Sequence, residues 1–297
     1  MYIMYNLEVK FDNNNIILEN ASDFDLHHIF DCGQCFRFDR EADDTYFGVA
    51  FGRALRISQK DGIVTLYDTS EEDFKNIWYD FFDLGCDYGE LKKRLTSDDY
   101  MKQAAEYGGG IRILRQDLWE TVISFIISAS NNIPRIKGIV ERLCQNFGEK
   151  ISYMGGEYYS FPTAARLAQL TKDELSVIRA GFRDKYILDA ARKIADGEIS
   201  LDYIRSLPTH EAKEELMKMS GVGNKVSDCI LLFGLHRADS FPVDVWIKRI
   251  MEYCYFGKEV SIKEVSAFAE KKFGELGGFA QQYLFFWARD NKIGTGG

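Results

Sequence analysis

A lysine and an aspartate stand at two bends in the second half of the chain, each at a predicted helix start. Lys225 follows the turn at residues 220–223, which contains two glycines. The positive end of a helix dipole disfavours a second positive charge, so a lysine there is either a solvated surface charge or an amine held for chemistry. Asp244 follows Pro242 and Val243, and its carboxylate would cap the next helix. Capping would also hold this carboxylate within reach of the helix start that carries the lysine.

The turn before Lys225 has the features of a phosphate-binding hairpin. It joins two predicted helices through few residues, and Gly221 and Gly223 permit positive φ there. The exposed amides of Gly221, Val222 and Gly223, reinforced by the dipole of the following helix, can hold a phosphate oxygen, which fits a DNA backbone. A corner between any two helices can use the same Gly-x-Gly spacing, so the hairpin alone leaves both interpretations open.

The cysteines suggest a pocket but no metal site. Cys229 lies one helical turn beyond Lys225 and lines any pocket that the lysine faces. Only Cys32 and Cys35 form a Cys-x-x-Cys pair, and no second Cys or His pair follows at the spacing of a structural zinc site. The C-terminus lacks the clustered cysteines of an iron–sulfur site. We therefore expect free thiols, no bound metal and no cofactor.

The composition bounds the class of protein. The 297 residues are 46% hydrophobic and 14% aromatic, which is ample for a large buried core. No run approaches the ~20 apolar residues of a membrane span, and the first residues lack the pattern of a signal peptide, so we expect a cytoplasmic protein with no membrane contact. The formal charge of −9 argues against a nucleic-acid partner, but phosphate contacts depend on a local patch.

Hydrophobic periodicity divides the chain into a sheet and a helical body. Up to about residue 70, apolar and polar residues alternate as in antiparallel strands, with a turn at residues 60–62. From about residue 71 the period is helical, and we predict only helices. Asp117 with Glu120 predicts a capping box, and Pro134 fits the first turn of the next helix. The sequence thus predicts an α+β protein: an antiparallel β-sheet domain with following helices over residues 1–108, packed on a mainly helical domain over residues 109–297.

These features together resemble a known family. The hairpin, Lys225 and the Pro-Val-Asp at 242–244 are similar to those of the helix-hairpin-helix DNA glycosylase superfamily, and the lysine is typical of its bifunctional members. Further segments resemble the 8-oxoguanine DNA glycosylases in the order of that family: GQCFRF at 33–38, SNNIPRIKGIVERLCQNFG at 130–148, GFRDKY at 181–186 and FAQQYLFF at 279–286. The resemblance spans most of the chain and implies the helix-hairpin-helix glycosylase fold for its helical part.

The resemblance implies a reaction and a partner. The partner is double-stranded DNA that contains oxidised guanine, bound by a monomer, on the nucleoid if the cell is prokaryotic. The damaged nucleotide is flipped out of the duplex because its reacting carbon is unreachable within the stack. Lys225 matches the nucleophile that attacks C1′ and forms a Schiff base, after which elimination can nick the strand. Asp244 matches the carboxylate that stabilises the cationic sugar.

Four further residues match the family's base pocket. The carbonyl of Gly33 would accept a hydrogen bond from N7–H of the oxidised base, whereas N7 of guanine is an acceptor and would repel it. Gln281 matches the residue that binds the base edge. Phe285 matches the ring that stacks on the base, with Cys229 on the opposite face. A core helix would also explain the apolar character of the segment that contains Gln281 and Phe285.

The resemblance also implies a DNA surface, with three departures from the family. Serine replaces the first residue of a run of three asparagines, phenylalanine stands where a wedge tyrosine is common, and tryptophan replaces a histidine that touches phosphate. The shorter serine side chain predicts relaxed preference for the base opposite the lesion. The residues that match this surface are Ser130, Asn131, Asn132, Arg135, Phe182, Arg183 and Trp246.

Three alternatives remain at the level of the sequence. A noncatalytic helix-hairpin-helix DNA-binding module explains Gly221 and Gly223 but gives Lys225 and Asp244 no joint task. A monofunctional alkylbase glycosylase needs the aspartate and can dispense with the lysine. An α+β protein that does not bind DNA is favoured by net charge alone, and the ordered motifs outweigh it.

Overall fold

The N-terminal part forms one antiparallel sheet in the computed structural model, which describes residues 2–4, 7–42 and 44–294. Seven strands lie in the spatial order β1-β2-β3-β7-β6-β5-β4, and every neighbouring pair is antiparallel. The predicted strands are therefore confirmed. The strands are β1 (Tyr2–Met4), β2 (Leu7–Asp12), β3 (Asn15–Glu19), β4 (Phe38–Ala42), β5 (Thr45–Ala50), β6 (Arg53–Lys60) and β7 (Ile63–Tyr67).

The predicted turn at residues 60–62 forms a two-residue hairpin. Lys60 pairs with Ile63, and the two residues between them have positive φ, +52° at Asp61 and +78° at Gly62. Positive φ at both central residues matches the right-handed twist of the flanking strands, and Asp-Gly adopts this conformation readily. Local sequence thus fixes the register of β6 against β7.

The rest of the described chain is mainly helical, as predicted. Its α-helices are α1 (Leu26–Phe30), α2 (Glu71–Asp73), α3 (Tyr79–Phe81), α4 (Tyr88–Leu95), α5 (Asp99–Tyr107), α6 (Leu118–Ser128), α7 (Ile133–Phe147), α8 (Ala164–Ala168), α9 (Lys172–Leu175), α10 (Asp184–Ala195), α11 (Leu201–Ser206), α12 (Thr209–Leu216), α13 (Asn224–Gly234), α14 (Val245–Met251), α15 (Ile262–Phe273) and α16 (Gly277–Asp290). Short π-helical turns (Phe74–Trp78, Glu252–Phe256) and 3₁₀ turns (Ser176–Ile178, Gly181–Arg183, Gly274–Leu276) extend or join them. Among the described residues, no helix is long and apolar enough to cross a membrane.

The prediction of only helices after residue 71 is wrong at one place, a hairpin of β8 (Lys150–Tyr153) and β9 (Gly156–Tyr159). It packs on the N-terminal sheet: the rings of Phe47 and Tyr158 are 4.3 Å apart, and the Tyr153 hydroxyl donates to the Tyr67 carbonyl. These strands are short and polar, so contacts made far along the chain, rather than local periodicity, stabilise them.

The two helix-start predictions have different outcomes. Asp117 caps α6 by accepting a hydrogen bond from the Glu120 amide at 2.9 Å, and Pro134 lies in the first turn of α7. The Glu120 carboxylate, however, lies 3.9 Å from Nη1 of the buried Arg37. Burial raises the pKa of Glu120 to about 7. Glu120 therefore faces the protein interior and supports Arg37 rather than completing a capping box.

Two large hydrophobic cores and a small cluster of Val49, Ala54 and Tyr153 fill the described part of the molecule. One lies between the sheet, α1 and the helices at residues 71–84, and the larger one fills the helical body. Helices α4 and α5 belong to the larger core, with Met101 and Ala104 fully buried in it. The boundary at residues 108 and 109 stays a prediction, and the extended segment 111–117 runs from α5 to α6.

Candidate active site and DNA-binding surface

The hairpin between α12 and α13 depends on Gly221. Its φ is +85°, and a Cβ atom there would lie 2.7 Å from the ring of Tyr186. The Ser220 amide donates to the Asp189 carboxylate at 2.8 Å, and Val222 is buried in the helical core. Sequence and packing therefore hold this turn in one conformation. The amide of Val222 donates to the Met219 carbonyl at 3.1 Å, so, contrary to prediction, it is not an exposed amide of the hairpin.

The start of α13 is open to an anion. Its N-cap is Gly223, which provides no capping side chain, and nothing lies within 4 Å of the position that its Cβ would occupy. Gly223 and Asn224 are both exposed. Uncapped amides at the positive end of a helix bind phosphate oxygens without further groups.

Lys225 is the second residue of α13 and is half-buried. Its Nζ lies 5.4 Å from the centre of the Phe125 ring, and its charge acts on the neighbouring Cys229 thiol. Burial raises the pKa of that thiol to about 11, against the opposing charge of Lys225. Cys229 therefore stays a neutral thiol beside the amine at physiological pH.

Asp244 caps α14, as predicted. Its Oδ1 accepts a hydrogen bond from the Ile247 amide at 2.8 Å. The same carboxylate lies near enough to Cys229 to oppose ionisation of the thiol. The cap thus fixes a negative charge on the wall that also holds Lys225.

One open cavity of about 370 Å³ brings the predicted catalytic and base-binding residues together. The walls of this cavity are mainly apolar, as is common for small-ligand sites. Phe233 follows Cys229 by one helical turn, so helical spacing could have identified it. The lining residues are Cys32, Gly33, Phe125, Lys225, Cys229, Phe233, Pro242, Asp244, Gln281, Gln282 and Phe285.

Among the polar atoms that line the cavity, one buried acceptor has no hydrogen-bond partner in the described structure. Oε1 of Gln281 is buried and accepts no hydrogen bond within the described structure. A buried polar group without a partner costs about 1–3 kcal/mol, so Gln281 is well suited to binding the polar edge of a ligand. Gly33 has φ of +83°, and a Cβ there would contact Phe285 at 3.7 Å.

The loop that contains Phe182 and Arg183 differs from the prediction in one respect. Phe182 is 56% exposed, as a wedge residue should be, but Arg183 is buried. Its guanidinium donates to the carbonyls of Ala129, Ser130 and Ala180. Arg183 therefore does not present its side chain on the DNA surface, as the resemblance implied, but ties the Phe182 loop to residues 129 and 130.

The asparagine segment combines structural and exposed positions. Asn131 donates to the Ile127 carbonyl, and Asn132 caps α7 by accepting from the Arg135 amide. Ser130 is exposed, with φ of +51°, and Arg135 is exposed on the first turn of α7. Ser130 and Arg135 are thus the free side chains here, whereas the two asparagines hold the turn.

Trp246 projects from the first turn of α14, next to Asp244. It is 46% exposed, and the Arg249 guanidinium lies 5.8 Å from the centre of its ring. An exposed indole beside a cation can contact a DNA backbone or base, but it presents only one N–H donor.

The distribution of charge removes the objection that net charge raised against DNA. Residues 1–110 contain 22 Asp and Glu against 11 Lys and Arg, whereas residues 111–297 contain 24 against 26. Arginines also gather beside the Phe182 loop, where burial and the charges of Arg179 and Arg135 lower the pKa of Arg142. The acidic excess thus belongs to residues 1–110 and not to the part of the chain that contains the hairpin.

Comparison with known families places the chain. Residues 123–275 match the HhH-GPD superfamily of base excision DNA repair proteins, and residues 16–122 match the N-terminal domain of 8-oxoguanine DNA glycosylase. The chain belongs to the HhH-GPD superfamily. Within it, the N-terminal match identifies the 8-oxoguanine DNA glycosylase branch.

Individual relatives agree with this assignment. The 8-oxoguanine glycosylase/lyase of Clostridium acetobutylicum, solved with duplex DNA containing cytosine opposite 8-oxoguanine, is 45% identical over 97% of this chain and 98% of its own, with a TM-score of 0.92. The N-glycosylase/DNA lyase of Saccharomyces cerevisiae is 43% identical over 49% of the chain, which spans 42% of the yeast protein. A probable N-glycosylase/DNA lyase of Methanothermobacter thermautotrophicus is 30% identical over 70% of the chain and 72% of its own length.

The two hairpin glycines predict mutational effects of different size. Gly221→Ala should destabilise the protein by roughly 1–3 kcal/mol and weaken duplex DNA binding, because the new Cβ meets Tyr186 and the left-handed backbone resists alanine. Gly223→Ala is the matched control: its Cβ points into open space, and the cost should stay below about 1 kcal/mol. Urea unfolding and a DNA-binding titration measure both. Equal effects of the two substitutions would contradict this account of the hairpin.

Proposed function

We propose that this protein is a bifunctional DNA glycosylase and AP lyase that excises 8-oxoguanine from duplex DNA through a Schiff base on Lys225. The carrying observation is the cavity in which Lys225, Asp244 and the unpaired acceptor of Gln281 meet. The relatives named N-glycosylase/DNA lyase support the two activities, and the N-terminal family match supports the base.

Access to the cavity requires a flipped nucleotide. C1′ of the damaged nucleotide is buried in the duplex, so the nucleotide must leave the stack before an amine can reach it. The open amides of Gly223 and Asn224 would hold a backbone phosphate beside the lesion, and the exposed Phe182 ring would fill the gap left in the stack. Ser130 and Arg135 lie on the segment that Arg183 ties to this loop, in position to face the orphaned base.

The chemistry follows from the two helix starts. The neutral amine of Lys225 attacks C1′, the glycosidic bond breaks, and its electron pair leaves with the base, which takes up a proton. The sugar ring then opens to a Schiff base, and loss of a proton from C2′ expels the 3′ phosphate. Water finally releases the lysine. The carboxylate of Asp244 stabilises the positive charge that develops on the sugar. The hydrogen bond that it accepts from the Ile247 amide holds the carboxylate in place.

Recognition of the base would use three parts of the cavity. The Gly33 carbonyl accepts from N7–H of 8-oxoguanine and repels the N7 lone pair of guanine, a difference of about 1–3 kcal/mol. The Gln281 amide binds the base edge and so satisfies its buried Oε1. The base stacks between the Phe285 ring and Cys229, whose thiol remains neutral because burial raises its pKa to about 11.

The rivals explain less of the cavity. A noncatalytic DNA-binding module needs the hairpin amides but not an amine and a carboxylate in one pocket. A monofunctional alkylbase glycosylase uses Asp244 to assist a water molecule and leaves Lys225 without a role. We further propose that the protein acts as a monomer, without a cofactor, in the cytoplasm, on the nucleoid if the cell is prokaryotic, because its proposed substrate is DNA.

Replacing the amine tests the mechanism. Lys225→Gln should reduce single-turnover excision of 8-oxoguanine by roughly a thousandfold or more, while duplex binding persists because the hairpin amides are unchanged. Lys185→Gln is the matched control, since Lys185 is also the second residue of its helix, α10. Near-normal excision by Lys225→Gln would support the monofunctional rival.

Replacing the carboxylate separates its two roles. Asp244→Asn keeps a good N-cap, so the free energy of unfolding should change by less than about 0.5 kcal/mol. Loss of the negative charge should slow the chemical step by roughly a hundredfold or more. Asp87→Asn, at the N-cap of α4, controls for the cap alone. Asp244 is only a cap if the two variants show the same stability change and the same excision rate.

The base opposite the lesion gives a further prediction. Ser130 offers one hydroxyl, so the amino group of cytosine lacks the amide acceptor of asparagine, and 8-oxoguanine should be removed opposite several bases with modest preference for cytosine. Ser130→Asn should raise that preference about tenfold, and its positive φ suits asparagine. Ser130→Gly also tolerates this φ and should not sharpen it. Single-turnover excision opposite each of the four bases is the measurement, and a strict cytosine requirement in the native protein would contradict this role of Ser130.

A further inference from the structure

The loop that holds Gly33 is anchored by the side chain of its neighbour, Gln34. Gln34 is fully buried. Its Nε2 donates to the carbonyls of Ile29 at 2.9 Å and Arg112 at 2.7 Å, and its Oε1 accepts from the Leu114 amide at 2.9 Å. Three backbone groups, from α1 and from the segment 111–117, thus hold one side chain.

The residues on each side of Gly33 are also held, Gln34 by its carbonyl and Cys32 by its side chain. The Gln34 carbonyl accepts a hydrogen bond from Nε2 of Gln116 at 2.7 Å. On the other side, Sγ of Cys32 lies 3.6 Å from Nε2 of Gln282, a donor on α16. Gly33, with φ of +83°, has no side chain to fix its own conformation.

We propose that Gln34 is a positioning residue that fixes the place of the Gly33 carbonyl in the cavity wall and so determines the preference for the oxidised base. This carbonyl belongs to the planar peptide group that ends at the Cα of Gln34. Moving that Cα breaks hydrogen bonds of a buried amide, which costs about 1–3 kcal/mol for each group left unpaired. The inference rests on the proposed function and concerns its base-recognition step.

Two substrates separate base recognition from the lysine chemistry. An 8-oxoguanine duplex requires both, whereas a duplex with a preformed abasic site contains no base and requires only the lyase step. Gln34→Met removes the amide at nearly constant volume. We expect it to reduce single-turnover excision of 8-oxoguanine at least tenfold while cleavage of the abasic duplex stays within about threefold of the native protein.

A second glutamine provides the matched control. Gln59 donates to the Phe24 carbonyl at 2.6 Å and accepts from the Leu26 amide at 3.0 Å, the same chemistry away from the cavity. Gln59→Met should leave the ratio of 8-oxoguanine excision to abasic-site cleavage within about threefold of the native ratio. Gln116 is half-buried, and Gln116→Met should lower this ratio less than Gln34→Met does. Gln116→Met replaces Gln34→Met in the test if the latter does not fold.

The outcomes distinguish this inference from the proposed function. A native protein that cleaves abasic DNA but not the 8-oxoguanine duplex would overturn the proposed substrate and the inference with it. A native protein active on both, with Gln34→Met or Gln116→Met lowering the two rates equally or neither, would overturn the role of Gln34 alone. A selective loss of 8-oxoguanine excision in these variants, absent in Gln59→Met, supports it.

Discussion

An amine and a carboxylate must face the same small cavity, and the helical body is arranged to bring them there. Lys225 is fixed by its place in the first turn of α13, and Asp244 by its capping bond to the start of α14. Both helix starts present positive dipole ends, which favour a nearby carboxylate and phosphate and disfavour a second cation. The site therefore suits an anionic DNA backbone bound beside the lysine.

The sheet region would contribute base recognition to the site through Gly33. A buried cluster of hydrogen bonds around Arg112 supports the segment to which Gly33 is tied. The Arg112 guanidinium donates to carbonyls at residues 23, 82, 83 and 86, next to the segment that binds Gln34. A buried cation with all these contacts makes local movement costly, because breaking any one of them leaves a buried polar group unpaired. Gly33 can therefore act as a fixed part of the cavity wall although it lies far from Lys225 in the sequence.

Part of the fold and of the candidate site could be predicted because it depends on local sequence preferences. The capping role of Asp244, the place of Lys225 in the first turn of α13 and the Asp61-Gly62 turn follow from preferences that act within a few residues. The β8–β9 hairpin, the burial of Arg183 and the turning of Glu120 toward Arg37 depend on partners that are distant in sequence, so periodicity could not reveal them. That Gly33 and Lys225 line the same cavity could be predicted only from the resemblance to the family.

Borohydride trapping tests the central claim most directly. Reduction captures a covalent protein–DNA complex only when an amine has formed a Schiff base with the sugar. The native protein on a duplex containing 8-oxoguanine should give one trapped complex, with the DNA remnant on the peptide that contains Lys225. Release of 8-oxoguanine without any trapped complex, or a remnant on a different lysine, would contradict the assignment of Lys225 as the nucleophile.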